Sequence, residues 1–217
     1  MTSTGKTRFA ILGLLTWKPM SGYDIKKLVD VGLSHFWNEN YGQIYPTLDR
    51  LAREGLATKE AASRGGNRRR FVYSATPQGR EAFREWLEQT ADAPVIRNEV
   101  LLKLFLAHQR PVAVTRRLIR EYQTRQQAML DEYRHSAELL CSALHDGETP
   151  GELREILAIT GSPTSPGSKQ LEVFYFTLRH GIRVTEARVA WCQEVIAHLE
   201  VDVEAADTES MEHNQTE

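Results

Sequence analysis

The sequence predicts a mainly α-helical protein with one small β-hairpin in its first third. Three observations carry this. Apolar residues recur at spacings of three and four through most of the 217 residues. Two short strand-like stretches, "LATKEAA" (56–62) and "RRFVYSAT" (69–76), flank a glycine-containing turn, "SRGGNRR". Helix breakers and caps, among them Pro19, Gly55 and the pair Thr76–Pro77, fall between the helical runs. The order helix, helix, helix, strand, turn, strand, helix is that of a winged helix-turn-helix: three helices plus a β-hairpin wing. An all-helical domain follows it.

The first helix runs from about Lys6 to Trp17, with Phe9, Leu12 and Leu15 on one side, and Pro19 stops it. In "MSGYDI", Ser21 fits an N-cap, with Asp24 three residues on as in a capping box. Met20 and Ile25 take the positions of a hydrophobic staple. This second helix turns Ile25, Leu28 and Val29 inward and fades near Gly32. The third begins in "YGQIYPTLDRLAREGL" (41–56), and Thr76–Pro77 opens a fourth through Phe83, Trp86 and Leu87.

Beyond residue 90 the pattern is helical throughout. "NEVLLKLFLAH" is short and very apolar. Pro111 opens a long helix to about Leu144, with Val114, Leu118, Tyr122, Met129, Tyr133, Leu140 and Leu144 along it. Residues 147–170 form a connector. The last helix is expected from Lys169 to Leu199. Leu171, Leu178, Thr185, Cys192 and Leu199 repeat at seven, and Tyr175, Ile182, Val189 and Ile196 repeat at seven with an offset of four. These are two seams of a heptad, the mark of a helix that packs against other helices along its length. From Glu200 on there are seven acids and no Lys or Arg, which predicts a disordered tail. The expected division is 1–90, 91–200 and 201–217.

Charge is unevenly placed. Residues 1–90 carry 14 Lys or Arg against 9 Asp or Glu, and the remainder 13 against 20. A basic first part joined to an acidic second part points to an anionic partner for the first. No apolar run is long enough for a membrane helix, and no signal peptide is read at the N-terminus. Two cysteines, Cys141 and Cys192, make no disulfide framework, so a cytoplasmic location is expected.

The third helix begins with residues that help it little. On a helical wheel Ile44, Leu48 and Leu51 form the core face. Gly42, Pro46 and Arg53 point outward, with Gln43 and Arg50 beside them and Tyr45 on a flank. A proline is tolerated where the first N–H groups have no intrahelical partner. Such a flat, polar-edged helix end suits close approach to a large surface. In helix-turn-helix proteins this end reaches base edges in the major groove. Gln43 can pair with adenine, Arg50 with guanine or phosphate, and tyrosine hydroxyls with phosphate. Asp49 is awkward there: either it pairs with Arg53 at four residues' spacing or it lies clear of the DNA. "SRGGNRRR" adds four arginines and two glycines at the hairpin tip, including Arg64, Gly65, Arg68 and Arg69, suited to a minor groove or to phosphates.

These motifs resemble the PadR family of bacterial transcriptional regulators. The matching stretches are "AILGLL" (10–15), "PMSGYDIKK" (19–27) and "FWNENYGQIYPTLDRLAREGL" (36–56). The spaced set Arg70, Tyr73, Thr76 and Gly79 also matches, as does Trp86–Leu87. "RNEVLLKLFLA" (97–107) and "LRHGIRVTEARVAWCQEVI" (178–196) are similar to the ends of the helical dimerisation domain in longer members, which implies Leu171, Tyr175, Leu178, Ile182, Val189, Cys192 and Ile196 as the dimerisation residues. The resemblance implies a homodimeric repressor on a palindromic double-stranded DNA operator, released by a small molecule such as a planar aromatic effector. It implies DNA contact at Ser21, Tyr23, Tyr41, Gln43, Tyr45, Pro46, Arg64, Gly65 and Arg68. Arg50 and Arg69 join them from the helical wheel and the wing.

Other readings are weaker. No nucleophile elbow, phosphate loop or dinucleotide fingerprint is present, which argues against an enzyme, and no cofactor is implied. Cys141 and His145 lie four apart with Glu138 nearby, too few ligands for a metal site, so no metal is expected. A Cys141–Cys192 redox switch and a protein-binding winged helix remain as alternatives. Trp17, Trp37, Trp86, Phe174, Tyr175 and Trp191 offer aromatic faces to an effector, but the effector-binding residues are unknown from the sequence.

Overall fold

A computed structural model describes residues 3–33, 36–37, 41–62, 70–145, 151, 153–154, 158 and 169–214, the last stretch as backbone alone from 201. The chain divides into two compact units. One comprises Met1–Ala93 with Leu139–Tyr175, the other Pro94–Glu138 with Phe176–Glu217.

The first unit is a winged helix-turn-helix. Its elements are α1 (Ser3–Trp17), β1 (Met20–Ser21), α2 (Gly22–Leu28), α3 (Ile44–Arg53), β2 (Ala57–Ala62), β3 (Arg70–Ala75) and α4 (Pro77–Glu88). A wide helical turn, Val29–Leu33, extends α2, and a tight one, Tyr41–Gln43, leads into α3. The core gathers Ile11, Leu12 and Leu15 of α1, Ile25 and Leu28 of α2, and Ile44, Leu48 and Leu51 of α3 beneath Tyr73 of β3. The capping box forms as expected: Ser21 accepts from the Asp24 backbone N–H while the Asp24 carboxylate accepts from the Ser21 backbone. Thr76 caps α4 and Pro77 opens it.

The sheet holds one strand the periodicity did not reveal. β1 pairs with β3 through Met20 opposite Tyr73, and the strand order is β1-β3-β2, all antiparallel. Two residues are too few for an alternating pattern to register. β3 is therefore the central strand and touches both the start of α2 and the wing.

In the second unit, Asn98 caps α5 (Glu99–Phe105), accepting from the N–H groups of Val100 and Leu101. The long helices α6 (Val112–His145) and α7 (Lys169–Asn214) follow. Within this unit α6 and α7 are laced by Arg120–Glu200 (2.5 Å), Arg134–Glu186 (2.9 Å) and a longer bond from Arg188 to Gln126 (3.4 Å).

The buried residues of α6 are Thr115, Ile119, Gln126, Leu130, Ala143 and the expected Leu140, while Val114 and Met129 are exposed. Two of these six are polar, so hydrophobicity alone misses part of the stripe. On α7, Leu171, Leu178, Ile182, Val189 and Cys192 are buried within the single chain, and Tyr175 and Ile196 are half-buried. Most heptad positions are thus buried within the single chain. Lastly, α7 continues past Leu199 to Asn214, through the stretch expected to be a disordered tail. No glycine or proline follows Gly181, so no local breaker stops it. Among the described residues no helix is long and apolar enough to cross a membrane.

Candidate nucleic-acid interface

The N-terminal turn of α3 presents the surface its sequence implies. Ile44, Thr47, Leu48 and Leu51 are buried, and Gly42, Gln43, Tyr45, Pro46, Asp49 and Arg53 are exposed. Gln43 occupies the N-cap but makes no side-chain capping bond, so its amide is left for the outside. Pro46 falls at the third helical position, where its missing N–H costs no intrahelical bond.

Tyr45 and Tyr23 are both largely exposed, at 56% and 65%. Tyr45 lies across the start of α2: a Cβ on Gly22 would sit 2.5 Å from Tyr45 Cε1. The glycine of "SGYD" is thus what lets the α3 tyrosine lie flat against α2. The Tyr41 side chain and Arg64, Gly65, Arg68 and Arg69 lie outside the described residues.

Ser21 departs from the expectation of a DNA contact. It is buried, and its hydroxyl is spent inside the fold. It donates to Asp24 Oδ2 (2.6 Å) and accepts from the Asp24 N–H (3.3 Å) and from an Arg70 guanidinium nitrogen (2.9 Å). The same nitrogen lies 2.9 Å from both Asp24 oxygens. Burial alone would raise the Asp24 carboxyl, but the bonds from Ser21 and Arg70 outweigh it and hold Asp24 below the usual carboxylate value. Ser21 therefore helps orient Arg70, at the base of the wing.

Asp49 is also resolved differently. Its carboxylate accepts from Lys59 Nζ on β2 at 2.7 Å and from the Tyr73 hydroxyl on β3 at 3.1 Å, rather than resting on Arg53. The Lys59 hydrogen bond outweighs desolvation, so Asp49 sits below its ordinary pKa and Lys59 above its own. Arg50 is half-buried, with Nε 4.0 Å from Glu54, a carboxylate that also pairs with Arg8 at 3.2 Å. Its guanidinium leans along the helix more than the wheel implied. Lys59, Tyr73, Asp24 and Arg70 were not singled out as a polar frame by sequence. The available signals were the misplaced acid at 49 and the Arg70–Tyr73 spacing.

The aromatic candidates do not converge on one point. Trp86 stacks on Phe9, with centroids 5.1 Å apart, and lies beside Phe83 in the core of the first unit. Trp17 meets Phe174 at 5.7 Å. Trp37, Tyr175 and Trp191 are half-buried. His145 Nδ1 lies 3.0 Å from the Cys141 carbonyl oxygen, so the spacing of four is expressed as a backbone contact. Cys192 is fully buried, and burial raises its thiol pKa, which disfavours the reactive thiolate.

Residues 11–85 match the family described as "Transcriptional regulator PadR-like family", and residues 96–200 match "Virulence activator alpha C-term". The chain thus carries a PadR-like domain followed by a virulence-activator-type C-terminal region. Its relatives include the negative transcriptional regulator PadR of Bacillus subtilis (strain 168), 25% identical over 196 residues, which span 90% of this chain and 98% of that one. The structure of that PadR in complex with operator DNA superimposes with a TM-score of 0.70 at 24% identity, covering 89% of this chain and 98% of the other. Its complex with p-coumaric acid gives 0.65 at 24% identity and the same coverage. The Vibrio cholerae virulence activator AphA gives 0.64 at 25% identity, again over 89% and 98%. The PadR-like family is one of DNA-binding transcriptional regulators, not enzymes. The exposed turn of α3 and the wing strands all fall within the PadR-like match.

Proposed function

We propose that this PadR-like regulator is a cytoplasmic homodimeric repressor that reads a palindromic operator and is released by a small planar aromatic molecule. The observation that carries the reading is the first turn of α3, where Gln43, Tyr45 and Pro46 are exposed around a flat centre while the next residues hold the core. Gln43 is the base reader, Tyr23, Tyr41 and Tyr45 meet phosphates, and Arg64, Gly65, Arg68 and Arg69 carry the wing along the backbone or minor groove. The operator complex of the Bacillus relative supports a DNA partner, and its p-coumaric acid complex supports an aromatic effector. Gln43→Ala is expected to narrow the gap between preferred and scrambled duplexes by about 1–3 kcal/mol, with little change in scrambled-duplex affinity. Competition binding measures this, and an unchanged ratio would remove Gln43 as a reader.

Residues 1–90 form the reading head, and residues 91–200 serve dimerisation and effector response. Two-fold symmetry is favoured because one reading helix covers too few base pairs to select a promoter. The heptad seams are mostly filled within the chain, so the dimer face is assigned instead to α5. There Leu101, Leu102, Phe105 and Leu106 are 46%, 59%, 82% and 46% exposed. Burying such a patch against its copy is strongly favourable. Phe105→Glu is expected to shift the chain to monomer in sedimentation and to weaken operator binding while leaving helicity unchanged. A dimer of undiminished affinity would refute the α5 assignment.

A further inference from the structure

Asp49 puts a carboxylate on the exposed side of the reading helix, close to where the proposed function brings phosphate. An unpaired acid there would repel DNA, and an unpaired lysine at 59 would attract it. Neither is unpaired. Lys59 Nζ donates to Asp49 Oδ1 at 2.7 Å, and the Tyr73 hydroxyl donates to the same oxygen at 3.1 Å. The ammonium also lies 4.4 Å from the centroid of Phe71 and 5.6 Å from that of Tyr73. Tyr73 is 4% exposed and belongs to the core under α3, and it pairs across the sheet with Lys59 on one side and Met20 on the other. One oxygen of the reading helix is therefore tied to both wing strands, and the strand holding Tyr73 is itself tied to the start of α2.

We propose that Asp49, Lys59 and Tyr73 are positioning residues for sequence reading: they fix the angle between the reading helix and the wing without touching DNA themselves. The inference rests on the proposed DNA-reading function and goes beyond it by giving the acid and the lysine one shared task. A shared task makes a prediction that simple electrostatics reverses. If the two acted separately on phosphate, Asp49→Asn would tighten binding to every duplex and Lys59→Gln would weaken it, with the salt slope falling by about one per lost phosphate contact. As a brace, both variants lose the same thing. The helix seats less accurately, and preference for the correct sequence drops while scrambled-duplex affinity and salt slope stay near wild type.

The test uses the full-length chain and the duplex it selects from a random DNA pool, with a scrambled duplex as reference. Asp49→Asn and Lys59→Gln are each expected to cut the ratio of selected to scrambled affinity about tenfold, the size of one good base contact. The charge-exchanged pair Asp49→Lys with Lys59→Asp should restore part of it, which a loss of folding would not allow, and thermal melting checks each variant. Opposite shifts in affinity for the two single variants, or a charge-exchanged pair worse than either, would overturn the brace while the DNA-reading function stood. A wild-type chain that selects no sequence would overturn both.

Discussion

Gly79→Ala is expected to cost the winged helix about 3 kcal/mol, lowering the melting temperature by about 10 °C. A Cβ at this position would stand 2.0 Å from the Leu56 carbonyl oxygen and 2.9 Å from its carbon, with Leu12 Cδ1 at 3.2 Å. A flexible side chain could swing away, but this neighbour is backbone held from several sides. The Leu56 oxygen accepts from the Thr76 N–H at 3.1 Å. The Thr76 hydroxyl donates to the Gly55 carbonyl at 2.8 Å and accepts from the Gly79 N–H at 3.0 Å. Gly55 has a φ of 73°, the left-handed conformation that ends α3 and turns the chain into β2. Moving Leu56 therefore disturbs the end of the reading helix, the start of the wing and the cap of α4 together. Gly151→Ala is the control, because a Cβ there meets nothing within 4 Å. Equal melting temperatures for the two variants would show that the packing of α4 on Leu56 is looser than described.

The largest expected effect on binding comes from the wing. In the proposed dimer, removing Arg68 and Arg69 together takes four guanidinium groups, two from each subunit. Each phosphate contact contributes about 0.9 to the salt slope, so the slope should flatten by about 4. Affinity at physiological salt should fall on the order of a hundredfold on selected and scrambled duplexes alike. That uniformity separates the wing from Gln43, whose loss should act chiefly on preference. Salt titrations of both duplexes read the two effects apart. An unchanged slope in the double variant would mean that the wing does not lie on the phosphates.

Much of the reading head was legible in the sequence because its signals are local. Ser21 with Asp24, and Thr76 with Pro77, announce helix starts through capping chemistry that needs no distant partner. The core face of α3 follows from Ile44, Leu48 and Leu51 alone, since buried and exposed positions separate sharply on a short amphipathic helix. What the sequence did not disclose depends on distant partners. Met20 and Ser21 become a strand only because β3 lies beside them. Asp49 has a plausible partner four residues away in Arg53, yet the chain brings Lys59 and Tyr73 to it through the turn at Gly55. Ser21 has the composition of a DNA contact, but Arg70, 49 residues on, claims its hydroxyl.

The second part was harder for a related reason. A heptad repeat on α7 states that the helix packs along its length, not whether the partner is the same chain or another. Leu171, Leu178, Ile182, Val189 and Cys192 are all buried intramolecularly. On α6 the buried stripe includes Thr115 and Gln126, polar residues that no hydrophobic pattern would select. The apolar residues left outside, Phe105 above all, are where a partner subunit has most to gain.

The central claim is that this PadR-like chain distinguishes one DNA sequence from others through its wing and α3. The most direct measurement is fluorescence anisotropy of the full-length protein on its selected duplex and on a scrambled one, across a salt series. Tighter binding to the selected duplex, at least about a thousandfold over scrambled and falling steeply with salt, is the predicted result. Equal affinity for the two duplexes at every salt concentration, or no binding at low salt, would contradict it.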